Sequence, residues 1–271
     1  MITQWLEFDS LVNARDVGGI PTVDGDRIRS RRLIRSDNLQ QLTRHDIARL
    51  QALGVSDVVD LRSAFEVTSE GPGPLLGVPG FTFHHHSFLR EWDSSGAVPQ
   101  RTDGVGAADP DLPGDALPWE ARTAHTVMVA DDFASSYLSF LADRPAAVVG
   151  ALRSIAYAEG AALVHCAAGK DRTGTTIALA LMLAGADREA VIADYAASCE
   201  RMALIVGRLA ASPTYAANLA GRPLSSHMTL PVSMETFLEY ADVSHGGVEP
   251  MLETIGWTPA DTEQMRRKLR G

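Results

Sequence analysis

The sequence predicts a single α/β domain, a central, mostly parallel sheet flanked by helices. Three observations predict it. The 271 residues are 45% hydrophobic, enough for one large domain with a sizeable core. Short β-rich runs alternate with longer stretches of helical periodicity. And the stretch from Ala161 to Gly185 reads as a buried strand, a tight loop and a helix in immediate succession.

Taken in order, Asn13-Ala-Arg-Asp-Val-Gly-Gly19 is read as a strand and a turn, the glycine pair suiting positive φ. Thr22 to Ile28 reads as a hairpin turning at Asp24-Gly25. Leu33 to Leu39 is a short strand leaving into a loop. A helix follows, with Thr43 as N-cap, Asp46 at N3, Ile47 and Leu50 on its apolar face, and Gly54 after its end. Val58 to Arg62 is a strand. Gly71 to Pro79 is a Gly/Pro-rich loop, and Phe81 to His86 is another strand. Its three consecutive histidines alternate faces, so they do not converge on a metal.

From Arg90 to Arg122 the chain is rich in Asp, Gly and Pro, a loop too long to be a plain connection. Phe133, Tyr137, Leu138 and Leu141 mark a helix with Asp131 or Asp132 at its cap. Pro145 opens the next, with Val148, Leu152 and Ile155 on one face. Ala161 to Val164 is the buried strand, and Thr175 to Ala184 a helix closed by Gly185. Asp187 caps a long helix whose stripe Val191, Tyr195, Cys199, Met202, Val206 and Leu209 is read as core. From Ser212 to Val232 amphipathic pieces are broken by prolines. Thr258-Pro259 starts a last helix, its Arg266, Arg267, Lys268 and Arg270 suiting a solvated C-terminus.

The net charge is −10, from 24 basic and 34 acidic residues. That argues against a nucleic-acid partner held by a broad basic surface, but not against an anionic substrate met at close range. Two cysteines, Cys166 and Cys199, make no disulfide framework. The first ten residues have no apolar core of a signal peptide, and the longest apolar run, Ile177 to Ala184, is too short to span a bilayer. A cytoplasmic protein is expected, with at most peripheral membrane contact. Export without a signal and the oligomeric state stay open.

The chemistry is expected at 165–174, His-Cys-Ala-Ala-Gly-Lys-Asp-Arg-Thr-Gly. Between a strand end and a helix N-terminus, the backbone N–H groups of Ala167, Ala168, Gly169, Lys170 and Thr173 can turn around an anion. Arg172 adds a planar, two-pronged grip on phosphate oxygens. The same positive field favours a thiolate at Cys166. Thr173 is placed to donate its hydroxyl to the sulfur, and His165 to orient the loop.

Cys166, five intervening residues and Arg172, with the leading His165 and the Gly-Lys-Asp-Arg-Thr-Gly ending, resemble the signature loop of the cysteine-dependent tyrosine phosphatases. Within them, the loop is similar to that of the bacterial tyrosine/lipid phosphatases related to the mycobacterial B-type enzyme. Asn13 to Gly19 resembles a second motif of that family, with Ala14 where an aromatic residue is usual. The resemblance implies a fold like the dual-specificity phosphatases, a phosphocysteine intermediate at Cys166, no metal and no cofactor. It implies activity on phosphotyrosine, with phosphoserine, phosphothreonine or phosphoinositides as further substrates. It also implies that 90–122 borders the site and that a helical lid lies near 210–232.

The leaving group needs a proton. Asp171 is the first candidate because it lies in the loop and belongs to the Lys-Asp-Arg pattern. Asp93 is the alternative. Lys170 adds charge that suits polyanionic head groups. Arg62 either supports the loop or meets substrate, or it pairs with Glu66 four residues on; the ion pair is preferred.

Rival readings are weaker. A Walker A loop fails because Val164 stands where its first glycine belongs and Asp171 follows Lys170. A merely buried cysteine does not explain the surrounding loop. A phosphate-binding pseudophosphatase would have no use for Cys166, Arg172 and Thr173 together, and a rhodanese-like sulfurtransferase would lack the Gly-Lys-Asp-Arg-Thr-Gly ending.

Overall fold

The computed structural model describes residues 3–71, 73–90 and 126–271. Its strands are β1 (Gln4–Trp5), β2 (Arg15–Asp16), β3 (Leu33–Ser36), β4 (Val55–Asp60), β5 (Thr82–His85) and β6 (Ala161–His165). They form one sheet in the order β1-β2-β3-β6-β4-β5. The inner pairs β3–β6, β6–β4 and β4–β5 are parallel, while β1 and β2 add an antiparallel edge. The expected mostly parallel α/β sheet is therefore present.

The helices are α1 (Arg44–Ala52), α2 (Ala64–Glu70), α3 (Asp132–Asp143), α4 (Pro145–Ala156), α5 (Asp171–Leu183), α6 (Arg188–Ala197), α7 (Met202–Ala210), α8 (Pro213–Leu219), α9 (Pro231–His245), α10 (Val248–Glu253) and α11 (Pro259–Arg270). They cover both faces of the sheet. In β6, Ala162 and Val164 join the larger core with Leu152, Ile177, Phe237 and Met265, whereas Ala161 and Leu163 join the smaller one with Ile34, Leu50 and Val58. That is the period of two expected of a strand. With both faces covered, β6 is buried throughout and reads as a continuous apolar run.

Local signals set most boundaries. Thr43 and Asp46 form a reciprocal capping box at α1, and Thr258 and Asp261 another at α11. Asp131 caps α3 by accepting from Ala134 N, and Pro145 opens α4. At Asp24-Gly25 the chain does turn: Gly25 N donates to Thr22 O and Thr22 N to Asp26 O, with a single bridge between Pro21 and Arg27.

Three expectations are corrected. The long helix from Asp187 is broken: α6 stops at Ala197, Ser198–Arg201 form a 3-10 turn, and α7 follows. Buried Ser198 is taken up by Asn13 Nδ2 at 3.3 Å and Arg15 Nη2 at 3.1 Å, and the chain turns there. The stripe therefore does not continue as core. Cys199 is half-buried, with Sγ 3.3 Å from both Thr229 O and Thr229 Oγ1. Second, α2 stands where no helix was expected; its signal is the Ser63–Glu66 capping box. Third, Lys268 is not a solvated end. It is buried and donates to Ala158 O at 2.6 Å and to Gly160 O, which ties α11 to the start of β6.

Candidate active site

The loop leaves the C-terminal end of β6, the centre of the parallel sheet, where ligands of such sheets bind. Its backbone orientation follows from who holds its carbonyls. Ala167 O accepts from Asn38 N at 3.0 Å; Ala168 O and Gly169 O accept from Asn13 Nδ2 at 3.0 and 3.1 Å; Gly169 O also accepts from Arg35 Nη2 at 2.9 Å. In a trans peptide the N–H points opposite to the C=O. The amides of Ala168, Gly169 and Lys170 are thus turned the other way. Gly169 makes this possible: at φ +69° its backbone passes so close to β3 that a Cβ would lie 2.4 Å from Ser36 O.

The Asn13–Gly19 stretch is, as expected, structural, and what it supports is this loop. Arg15 Nη1 donates to Asn13 Oδ1 at 2.7 Å, Arg15 Nε meets Asp194 Oδ1 at 2.9 Å, and Arg35 Nη1 meets Asp194 Oδ2 at 2.5 Å. Two fully buried guanidiniums share one carboxylate. Burial and the neighbouring Arg35 pull the Arg15 guanidinium down to about 10.

Cys166 is 2% exposed and lines a cavity of about 390 Å³ together with Ala167, Ala168, Lys170, Asp171 and Arg172. Arg172 is gripped from behind: Nη1 and Nη2 meet Glu66 Oε2 and Oε1 at 2.6 and 3.0 Å, and Nη1 reaches Leu61 O at 3.3 Å. Burial alone would weaken its hold on a proton, but Glu66 and Cys166 outweigh it and raise Arg172 above its ordinary range. The expected Arg62–Glu66 pair does not form. Arg62 instead meets Asp60 Oδ2 at 2.6 Å, because Glu66, the N3 residue of α2, is directed at Arg172.

Asp60 stands between Arg62 and His165. His165 Nδ1 is 3.3 Å from Cys166 O, and its Nε2 3.7 Å from Asp60 Oδ2. Burial pushes the imidazole down to about 4, so it is neutral near pH 7. The three histidines of 84–86 have separate partners, Asp57 Oδ1, Arg62 O and Ser154 Oγ. Thr173 is fully buried with a hydroxyl that has no partner among the described residues.

Asp171 opens α5, lines the cavity and accepts from Tyr137 OH at 2.9 Å. Asp93 lies outside the described residues. Asp131 and Asp132 are not among the cavity-lining residues. Lys170 Nζ donates to His227 O at 2.7 Å, lies 5.3 Å from the Phe133 ring centre and 3.6 Å from Asp171 Oδ2.

The cavity extends well beyond the loop. Met202, Val206 and Leu209, expected in the core, line it, and so do Tyr215, Asn218, Leu219, Arg222 and His227 from the 210–232 segment. Phe88, Phe133, Tyr137 and Phe140 face them. This wall is pinned to the site. Arg208 pairs with buried Asp37, Ser212 Oγ donates to Glu70 Oε1 at 2.6 Å, and Tyr215 OH donates to Glu66 Oε1 at 3.2 Å. The 210–232 segment contains α8 and the 3-10 turn Leu224–His227, which supply part of the cavity wall; the segment 91–125 lies outside the described residues. Glu66 and Tyr215 had no signal as site residues beyond the capping box of α2.

This chain matches the sequence model of the tyrosine phosphatase family over residues 6–271. A protein of Cupriavidus necator that carries the name of a tyrosine-protein phosphatase is 30% identical over 257 residues, covering 94% of this chain and 81% of that one. The triple specificity protein phosphatase PtpB of Mycobacterium tuberculosis is 33% identical over 205 residues, 73% of this chain and 70% of PtpB. Among solved structures, TpbA of P. aeruginosa is 18% identical with a TM-score of 0.33, covering 86% of this chain and 96% of TpbA. The chain belongs to the tyrosine phosphatase family.

Proposed function

We propose that the protein hydrolyses phosphomonoesters through a phosphocysteine intermediate, with phosphotyrosine as substrate. One observation carries the reading: Cys166 and a glutamate-clamped Arg172 line one cavity, beside a loop whose Ala167, Ala168 and Gly169 carbonyls are held by Asn38, Asn13 and Arg35. The sulfur of Cys166 attacks phosphorus in line, the S–P bond forms as the P–O bond breaks, and the leaving oxygen takes a proton from Asp171. The amides of Ala168, Gly169 and Lys170 and the Arg172 guanidinium hold the equatorial oxygens as charge redistributes. Water then attacks phosphorus, Asp171 takes back a proton, and the thiolate leaves. Thr173 is placed to donate its unpartnered hydroxyl to that thiolate. No step requires a metal or cofactor.

The cavity volume of about 390 Å³ and the presence of Lys170 on its wall support further substrates too, phosphoserine or phosphothreonine peptides and phosphoinositides. A phosphorylated protein or lipid is therefore the proposed partner, met in the cytoplasm; no helix among the described residues is long and apolar enough to cross a membrane.

The test is phosphate release in EDTA from 4-nitrophenyl phosphate, a phosphotyrosine peptide and monophosphorylated phosphoinositides. Turnover by the wild type and its loss in Cys166→Ser is the expected result. Binding of phosphate ligands without turnover would replace the reading by a phosphate-binding role, and sulfur transfer from thiosulfate to cyanide by a sulfurtransferase.

A further inference from the structure

Helix α7 carries an apolar face that neither core uses. Met202, Ile205, Val206 and Leu209 recur at i, i+3, i+4 and i+7, one stripe of a helix. Met202 and Ile205 are buried, and Val206 and Leu209 are partly buried. Yet neither of the two hydrophobic cores formed by the described residues includes any of the four. All four line the cavity that also holds Cys166 and Arg172. Leu219 of α8 and Phe133 and Phe140 of α3 line it too, each partly buried. An apolar ligand would take the remaining surface of these side chains out of water.

Many polar groups of the same cavity are already engaged. Arg90 Nη2 meets Asp143 Oδ1 at 2.6 Å. Ser136 Oγ donates to Asp132 O at 3.0 Å, and Ser139 Oγ to Ser135 O at 2.8 Å. Tyr137 OH donates to Asp171 and Tyr215 OH to Glu66. What the cavity offers beyond the anion-holding loop is therefore largely hydrocarbon. A sugar-like ring set against that wall would bring hydroxyls out of water without partners. The stripe from Met202 to Leu209 also runs for roughly 10 Å along the helix axis, more than one aromatic ring fills. An anionic end continuous with a long apolar wall is the complement of an amphiphile.

We propose that this face is a subsite for a hydrocarbon chain, and that phosphomonoesters of long-chain alcohols are a further substrate class of the cavity. The proposal rests on the reading of the protein as a phosphomonoester hydrolase. The phosphate sits at Cys166 and Arg172, and its alkyl chain lies along Met202, Val206, Leu209 and Leu219. The reaction is the one already described: the S–P bond forms as the P–O bond breaks, the alcohol leaves with a proton from Asp171, and water then releases inorganic phosphate.

The experiment uses n-alkylphosphonates, from ethyl to octyl, as competitive inhibitors of 4-nitrophenyl phosphate turnover. Their P–C bond is not hydrolysed, so the inhibition constant reports binding alone. All are used below the concentration at which they self-associate. In the wild type the inhibition constant should fall about threefold for each added methylene. In the double variant Val206→Asn, Leu209→Asn that dependence should flatten to less than about 1.5-fold per methylene. The readout is a slope against chain length, so a general loss of activity does not imitate it. Octyl phosphate should also release phosphate with a higher kcat/KM than myo-inositol 1-phosphate.

An inhibition constant independent of chain length in the wild type would overturn the subsite. So would the same slope in the wild type and the double variant, because the chain would then bind elsewhere. Equal or faster turnover of myo-inositol 1-phosphate would overturn the substrate class. Absence of any 4-nitrophenyl phosphate turnover by the wild type would instead sink the hydrolase reading, and this inference with it. If the double variant does not fold, as judged by thermal melting, Leu219→Asn on α8 gives the same test from a different helix.

Discussion

Glu66 shows how much one side chain can hold together. Its two oxygens accept from Arg172, from Tyr215 OH and from Ser63 N, the last closing the cap of α2. Burial would raise its carboxyl, but Arg172 and the other donors hold it below its usual range. Removing one charge of a buried pair leaves the other without compensation, at about 3–5 kcal/mol. Glu66→Gln should therefore lower unfolding free energy by about that much and, by freeing Arg172 from its fixed plane, reduce kcat/KM on aryl phosphates by about two orders of magnitude. Urea titration and steady-state kinetics check both. Full stability with full activity would show that Leu61 O alone suffices to aim the guanidinium.

The residues proposed to attack and to grip phosphate were legible in the sequence because their spacing is local. Cys166 to Thr173 lie in one stretch, so eight consecutive residues of sequence specify them. The partners that aim them come from 100 or more positions away, as with Glu66 and Arg172, and no local pattern encodes such a pairing. A glutamate four residues past Arg62 looked like its partner. Yet N3 of a capped helix directs that carboxylate elsewhere, while Asp60, two residues back, is nearer to the arginine.

At the scale of elements, most strands and most capped helices were readable because β-rich runs and cap chemistry are local too, although α2 was not expected despite its Ser63–Glu66 box. The region after Ala197 was not. There a helical stripe continues in sequence although the chain bends through a 3-10 turn, and apolar residues at helical spacing fit a cavity wall as well as a core. Met202, Val206 and Leu209 took the first role. That wall is held by few bonds. Arg208 joins α7 to Asp37, whose carboxylate also accepts from Asn13 N at 3.1 Å, and Arg208 Nη2 reaches Asn38 O at 2.5 Å. Arg208→Ala should leave the sheet intact and loosen α7 and α8. Amide hydrogen exchange in 202–219 should rise by about tenfold or more while β3, β4 and β6 stay protected. Uniform loss of protection would mean that this pair supports the whole domain.

For the molecule as a whole, Lys268 links the last helix to the central strand. Burial brings its ammonium down to about 8 from an ordinary value of 10.5. Between those values the unfolded chain binds more protons than the native one. The contribution of this group to stability therefore rises with pH across the window and is smallest below it. Lys268→Met should flatten that rise, read as the difference in melting temperature between pH 8 and pH 10. An identical slope in both proteins would assign the alkaline behaviour to other groups.

The strand order has a consequence for biosynthesis. β1 to β5 are all complete by His85, but β3 and β4 are not neighbours; β6, some 75 residues later, must enter between them. A nascent chain released only as far as α3 has two half-sheets with unpaired inner edges facing each other, the kind of exposed edge that aggregates or recruits a chaperone. The insertion that seals this gap also places Cys166 at its post. Catalytic competence and topological closure thus arrive in one event, so a ribosome-bound intermediate stalled before β6 should hold no partially active enzyme, only a sheet waiting for its middle.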